Sequence, residues 1–259
     1  MPWGRYTMPR VSATLEFIPL GAGAGYGHPD QAQSGYLVRA GESAVALDMG
    51  AGTFNRLMGF VDPRELDAVV ISHLHPDHLA DLLAARIYMA HGPGVGHPMH
   101  VHAPPGLMGR LEGIAAGEPW AGITAHDLPG GGGTLEIGDV VIRHAEVPHL
   151  PPTHALRVEH GGRSVTYGAD CRPNDALPAL AEGTDVLVVE CTFGEQDIPD
   201  GAMHMNARAV GEMAAAARPG RVLLVHGDPA VDRQASVDIV QQAYDGPVEW
   251  ARERHVYTP

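Results

Sequence analysis

Three histidines and an aspartate fall within the six residues "HLHPDH": His73, His75, Asp77 and His78. Neutral imidazoles and a carboxylate are donors for zinc, manganese or iron. The apolar run "DAVVIS" ahead of them reads as a buried strand, and Pro76 suits the first position of a helix, where a missing N–H costs nothing. His73 and His75 lie two apart at the strand end and are expected to project to one side. Asp77 and His78 then occupy the first helical turn. The two pairs can face a common point from two directions, and two ions roughly 3.5–4 Å apart would employ so many donors. Other strand ends must supply the remaining donors. His149 ends "VVIRHAEVPH", Asp170 ends "SVTYGAD" and His226 ends "VLLVH". Asp170 carries two carboxylate oxygens and could bridge two cations.

The elements around these residues repeat one pattern. "TLEFIPLGAGAGYG" reads as a strand entering a glycine-rich turn, and "SGYLVRAGESAVALDMGAG" as a hairpin turning at Gly41 and Glu42. "PRELDAVVISH" is a helical turn and a strand. From Pro76, "PDHLADLLAARIYMAH" places Leu79, Leu82, Leu83, Ile87 and Met89 near a helical period, which predicts one helix. "MHVHAPP" is a strand. A second series then follows: strands at "VVIRHAEVPH", "HALRVEH", "RSVTYGAD" and "DVLVVECTF", an Ala-rich helix ending at Pro219 and Gly220, the strand "RVLLVHGD", and a last helix running to Gly246. The Gly130–Gly133 run is the natural seam. These features predict an α/β fold: one domain over residues 1–259, with halves of roughly 8–128 and 134–259 and two sheets packed between outer helices.

Composition narrows the partners. Acidic residues outnumber basic ones 31 to 17, for a net charge of −14, which opposes nucleic acid and anionic lipid. No apolar stretch is long enough for a membrane span, and Trp3, Arg5, Arg10 and Glu16 interrupt any leader-like core, so a cytoplasmic protein is expected. Cys171 and Cys191 give no disulfide framework; each follows a candidate site acid and is expected to point into the core.

The motif H-x-H-x-D-H, here "HLHPDH", resembles the signature of the metallo-β-lactamase superfamily, and the likeness runs from "LEFIPLGAG" to the last helix. It implies an αββα four-layer sandwich with two divalent metal ions at one edge, Zn2+ first and Mn2+ or Fe as alternatives. By that resemblance His73, His75 and His149 hold one ion, Asp77, His78 and His226 hold the other, and Asp170 bridges. His78 stands where true β-lactamases carry Arg, which favours a full second site. Asp48, in "VALDMGAG", is expected to orient a ligand histidine from behind.

"YGADCRP", "VVECTF" and "HMNARAVGEMAAAARPGRVLLVH" resemble segments of the ribonuclease Z branch, although Val189 replaces a histidine there. In that branch a glutamate and a histidine assist the chemistry; the match places them at Glu190 and His204, with Asp77 also at the reacting centre. The implied reaction is attack of a metal-bound hydroxide on phosphorus, with His204, kept basic by Glu190, protonating the leaving oxygen or stabilising the developing charge. The short stretch between His149 and Asp170 leaves no room for the basic arm that grips tRNA in ribonuclease Z. The compact pattern is closer to small bacterial cyclic-nucleotide phosphodiesterases of that branch. A small-molecule diester is therefore the expected substrate, and the resemblance implies a homodimer. The alternatives are a lactone, thioester or lactam hydrolase of the same fold, a tRNA 3′-processing endonuclease without the arm, or a binding module. Pro173 stands where lactonases of the superfamily carry a tyrosine, which weakens the first of these.

The other histidines read more plainly. His97, His100 and His102 belong to an ordinary strand. His144 lies close to His149 but outside the match, His154 is a candidate for lining the substrate side, and His28, His91, His126, His160 and His255 are assigned to the surface. "GAGAGYG" lacks the phosphate-loop pattern and reads as a loop at the rim.

Overall fold

Two β-sheets form the centre of the protein. A computed structural model describes residues 12–114 and 121–259; the expected boundary at residue 8 lies outside them. The first sheet runs in chain order through β1 (Ser12–Gly21), β2 (Gly35–Gly41), β3 (Ser43–Leu47), β4 (Ala68–Val70), β5 (Met99–Ala103) and β6 (Ile123–Asp127). The second has β7 (Gly132–Ile137) at one edge, then β8 (Val140–Val147), β9 (Thr153–His160), β10 (Arg163–Tyr167), β11 (Val186–Glu190), β12 (Arg221–Val225) and β13 (Val248–Trp250). Each sheet starts antiparallel and finishes parallel, from β3 to β6 and from β10 to β13.

Parallel neighbours need crossover connections, and helices supply them. In the first half these are α1 (Thr53–Leu57), α2 (Pro76–Leu79), α3 (Leu82–His91) and α4 (Leu107–Glu112). In the second they are α5 (Ala176–Leu180), α6 (Ala207–Ala217) and α7 (Arg233–Val240). Strand alternation assigns the residues to layers. Tyr36, Val45 and Val70 meet Leu156, Val165 and Val188 between the sheets. Leu37, Ala46 and Val69 face the other way onto Phe54, Leu82 and Met89 of the helices. Leu187, Val189 and Leu224 do the same with Val210 and Ala214 of α6. The result is the αββα sandwich. After β13 the chain returns to the first sheet, where Phe17 and Tyr257 exchange backbone hydrogen bonds of 2.8 and 2.9 Å.

Several elements differ from the sequence expectation. The helix from Pro76 breaks at Ala80 and Asp81. Asp81 there donates its N–H to the Met49 carbonyl and accepts from the Phe54 N–H, so it pins α1 and the end of β3 together. After the break the buried stripe becomes Leu82, Ala85, Arg86 and Met89, and Ile87 is exposed. The last helix stops at Val240 rather than at Gly246. Past that end the Tyr244 hydroxyl donates to the Pro219 carbonyl at 2.7 Å. Gly132 and Gly133 already lie in β7, so the chain changes sheets just ahead of them. The short elements β6, β7, β13, α1, α4 and α5 leave no periodic trace in the sequence. Among the described residues no helix is long and apolar enough to cross a membrane.

Candidate metal centre and active site

The carboxyl ends of the parallel strands in both sheets meet at one edge, where open α/β sheets bind ligands. Asp48 follows β3, Glu190 ends β11 and His226 follows β12. His73 and His75 are not at the strand end as expected. β4 stops at Val70, and both lie in the loop that leads to α2. That loop is held from below, because the Asp48 carboxylate accepts the Ser72 N–H and the Ser72 hydroxyl, each at 2.7 Å. Asp170 likewise sits beyond the end of β10, past Ala169 with φ of 52°. Asp48 and His226 have φ of 58° and 55°. Left-handed backbone at non-glycine residues costs about 1–3 kcal/mol, and its concentration beside these donors marks the edge as functional. Gly50 is required by close approach, since a Cβ there would lie 1.9 Å from the Asp77 carbonyl oxygen.

His73, His75, His149 and Asp170 bring donor atoms to one point. Their outer contacts assign the tautomers. Ser72 gives its hydroxyl hydrogen to Asp48 and accepts from His73 Nδ1 at 3.1 Å, which leaves His73 Nε2 bare. His149 Nδ1 donates to the Met203 carbonyl at 3.0 Å, which leaves its Nε2 bare. These two nitrogens stand 3.0 and 3.3 Å from His75 Nδ1. One proton on His75 could serve only one contact at full strength; a cation among the three serves all. Nitrogens about 2.05 Å from a tetrahedral zinc are about 3.3 Å apart, so the spacing fits. Burial, then the neighbouring His78, pushes His73 well below its ordinary pKa, so it is a neutral donor.

Asp77, His78, Asp170 and His226 form a second group that shares Asp170 with the first. His78 Nδ1 donates to Asp48 at 2.7 Å. Its Nε2 is buried without a hydrogen-bond partner, 3.3 Å from Asp77 Oδ2 and 3.4 Å from Asp170 Oδ2. An orphaned buried nitrogen between two carboxylate oxygens is the environment a divalent ion satisfies. His226 Nε2 meets the same two oxygens at 3.2 and 3.4 Å. In the absence of an ion, burial would lower His78, but Asp170 and Asp48 outweigh it and raise its pKa well above the ordinary value. The carboxylates of this group thus draw positive charge.

Glu190, His204 and His226 also come together, but Glu190 is committed elsewhere. Its Oε1 accepts from His204 Nδ1 at 3.0 Å and from the Met205 and Cys171 N–H groups. Its Oε2 accepts from the Thr192 N–H and, at 2.6 Å, from the Thr192 hydroxyl. With that hydrogen given to Glu190, Thr192 Oγ1 accepts from His226 Nδ1 at 3.0 Å and aims His226 Nε2 at Asp77. Glu190 therefore holds His204 rather than a metal. Burial disfavours the charged form of His204, but the Glu190 hydrogen bond and charge outweigh it and raise its pKa. His204 Nδ1 lies 4.0 Å from Asp170 Oδ2, and the ring stacks on His226.

All the expected site residues thus meet at one edge. Sequence reasoning missed the groups that orient them: Ser72, Thr192, the Met203 carbonyl, and Tyr167, whose hydroxyl donates to Asp48 at 2.8 Å. Thr192 follows Glu190 closely in "VVECTF", and Ser72 precedes His73, so adjacency was the available signal. His154 does not line the cavity. It is buried with its Nδ1 3.1 Å from His144 Nδ1, because β8 and β9 pair there. His100 and His102 lie on β5 and gather with His126 of β6 away from the two groups. His28, His126 and His160 lie at the surface, each partly exposed. Both cysteines are free and buried in the core between the second sheet and its helices.

A family profile described as the beta-lactamase superfamily domain matches residues 47–227. The probable metallo-hydrolase YhfI of Bacillus subtilis is 28% identical, over 82% of this chain and 86% of its own length. A ribonuclease Z of Mycobacterium bovis is 31% identical over 84% and 87%. The crystal structure of YhfI superposes with a TM-score of 0.86 at 24% identity, covering 95% of this chain and 99% of its own. A diphosphatase of the PhnP family superposes with a TM-score of 0.76 at 15% identity over 95% and 97%.

Proposed function

The chain belongs to the beta-lactamase superfamily as a metallo-hydrolase, and we propose that within it the protein is a dinuclear phosphodiesterase acting on a small diester. Zn2+ is the proposed ion; the same donors accept Mn2+ or Fe. One ion would be held by His73, His75 and His149, the other by Asp77, His78 and His226, with Asp170 shared. When bound, such a pair polarises a phosphoryl oxygen and lowers the pKa of water.

The observation that carries the reading is the Glu190–His204 pair beside the shared carboxylate. Phosphodiester cleavage must protonate a departing alkoxide, whereas opening an activated acyl bond demands this less. His204 Nδ1 keeps its proton on Glu190, so Nε2 is the atom that can give one up. The charged ring donates Nε2–H to the leaving oxygen, and Glu190 stabilises the cation beforehand. The ring then regains a proton from water. Asp77, Asp170 and His204 line an open cavity of about 230 Å³, of the size for a small molecule. The stretch between His149 and Asp170 is filled by β9, a turn and β10, with no arm for tRNA, and the net charge of −14 favours a small substrate.

Replacing His204 with alanine tests the role. The variant is expected to keep two metal equivalents and to lose kcat by about 10²-fold or more on an alkyl diester. The loss should be smaller on bis-4-nitrophenyl phosphate, whose leaving group needs no proton. Equal losses on both substrates would contradict proton donation by His204.

A further inference from the structure

The glycine-rich loop after β1 plays no part in the chemistry above, yet it is fastened to the site. His226 N–H donates to the Ala22 carbonyl at 2.8 Å, Gly23 bridges Gly227, and the Gln33 side chain donates to the Gly25 carbonyl at 3.0 Å. A Cβ on Gly25 would lie 3.4 Å from Asp77 Oδ2, so the loop runs directly past the second donor group.

Tyr26 comes next, at the lip of the cavity. Its hydroxyl donates to the Asp228 carboxylate, and the side chain is 57% exposed. With its polar tip occupied, the ring is held in place and offers a bare aromatic face to solvent. The cavity is open to solvent on this side, so a group carried by either ester can extend across the lip. A fixed, exposed aromatic face there is suited to stacking a flat ring. Asp228 places a negative charge beside it, which disfavours further anionic groups on the substrate.

We propose that Tyr26 is a stacking platform for the nucleobase of a nucleotide substrate, and that Asp228 fixes the ring and discriminates against additional phosphate. This rests on the phosphodiesterase reading for its substrate, so the test has an arm that does not need turnover.

In the first arm, metal-loaded protein is assayed on thymidine 5′-(4-nitrophenyl) phosphate and on ethyl 4-nitrophenyl phosphate, which share a leaving group and differ in the base. The preference in kcat/KM for the nucleoside ester is expected to fall about tenfold in Tyr26→Ala and to persist in Tyr26→Phe, which keeps the ring. In the second arm, calorimetry compares AMP with ribose 5-phosphate on the same proteins. AMP is expected to bind about tenfold tighter than ribose 5-phosphate, and Tyr26→Ala is expected to abolish the difference. Asp228→Asn should raise the affinity for ADP relative to AMP several-fold. If neither ester turns over but the AMP preference exists and needs Tyr26, the phosphodiesterase reading fails and the platform stands. If AMP and ribose 5-phosphate bind alike, or Tyr26→Ala leaves the preference intact, the platform is overturned. An unchanged ADP ratio in Asp228→Asn removes the discrimination assigned to Asp228.

Discussion

Replacing Asp48 with asparagine should weaken metal binding without touching a ligand. Asp48 is buried behind both donor groups. Its Oδ2 accepts from His78 Nδ1, the Ser72 hydroxyl and the Tyr167 hydroxyl at 2.7, 2.7 and 2.8 Å. Its Oδ1 accepts the Ser72 N–H at 2.7 Å. Every partner is a donor. Asparagine has one oxygen, so in either flip its NH2 group confronts at least one donor and leaves it unsatisfied. A buried orphan of this kind costs about 1–3 kcal/mol. The charge that keeps His78 Nε2 basic is lost as well. Outer partners of this type are worth about 10–100-fold in metal affinity, or about 1.4–2.7 kcal/mol. Asparagine is the informative replacement because it tolerates the left-handed backbone at this position, where φ is 58°, so strain is not added. The two ions should respond unequally. His78 contacts Asp48 directly, whereas His73 is reached only through Ser72. Competition with a chromophoric chelator resolves the two affinities, and the His78 site should weaken more. Both affinities within twofold of wild type would refute the reasoning.

Two further outcomes follow from groups outside the ligand set. Thr192→Val removes the acceptor for His226 Nδ1 and the 2.6 Å donor to Glu190. It should weaken the His226-containing site about tenfold in the same competition and lower turnover; unchanged affinity would show that Thr192 does not orient His226. His144 provides a pH test away from the metals. Burial, then the adjacent His154, lowers its pKa from 6.5 to about 4. Between those values the unfolded chain binds more protons, so stability is lost as pH falls from about 6.5 to about 4. His144→Phe should flatten this part of the denaturation profile. A profile as steep as wild type would place the acid sensitivity elsewhere.

The parts of the site legible in the sequence were those with contiguous or strand-terminal spacing. His73, His75, Asp77 and His78 announce themselves because four donors within a few residues have few other uses. His149, Asp170 and His226 are legible because apolar strands deliver them to a common edge, whereas Glu190 and His204 come only from the resemblance to the ribonuclease Z branch. Ser72, Thr192 and Tyr167 were not, because a hydroxyl that relays a hydrogen bond has no periodicity and depends on strands far apart in the chain. The apolar run Ala68–Ile71 predicts a buried strand but not its length, so the sequence places His73 and His75 at a strand end when they belong to a loop held by Asp48. The break at Asp81 was invisible for a similar reason: its cause is the Met49 carbonyl and the Phe54 N–H, which only the fold brings near.

Turnover by the metal-loaded protein tests the central claim most directly. Bis-4-nitrophenyl phosphate and 2′,3′- and 3′,5′-cyclic nucleotides should be compared with a lactone, a thioester, a lactam and precursor tRNA. The account predicts that kcat/KM for a phosphodiester exceeds that for every acyl substrate and for the tRNA by at least about tenfold. It also predicts that chelation abolishes this activity and two equivalents of Zn2+ restore it. A preferred acyl substrate, or diester turnover that survives chelation, would contradict it.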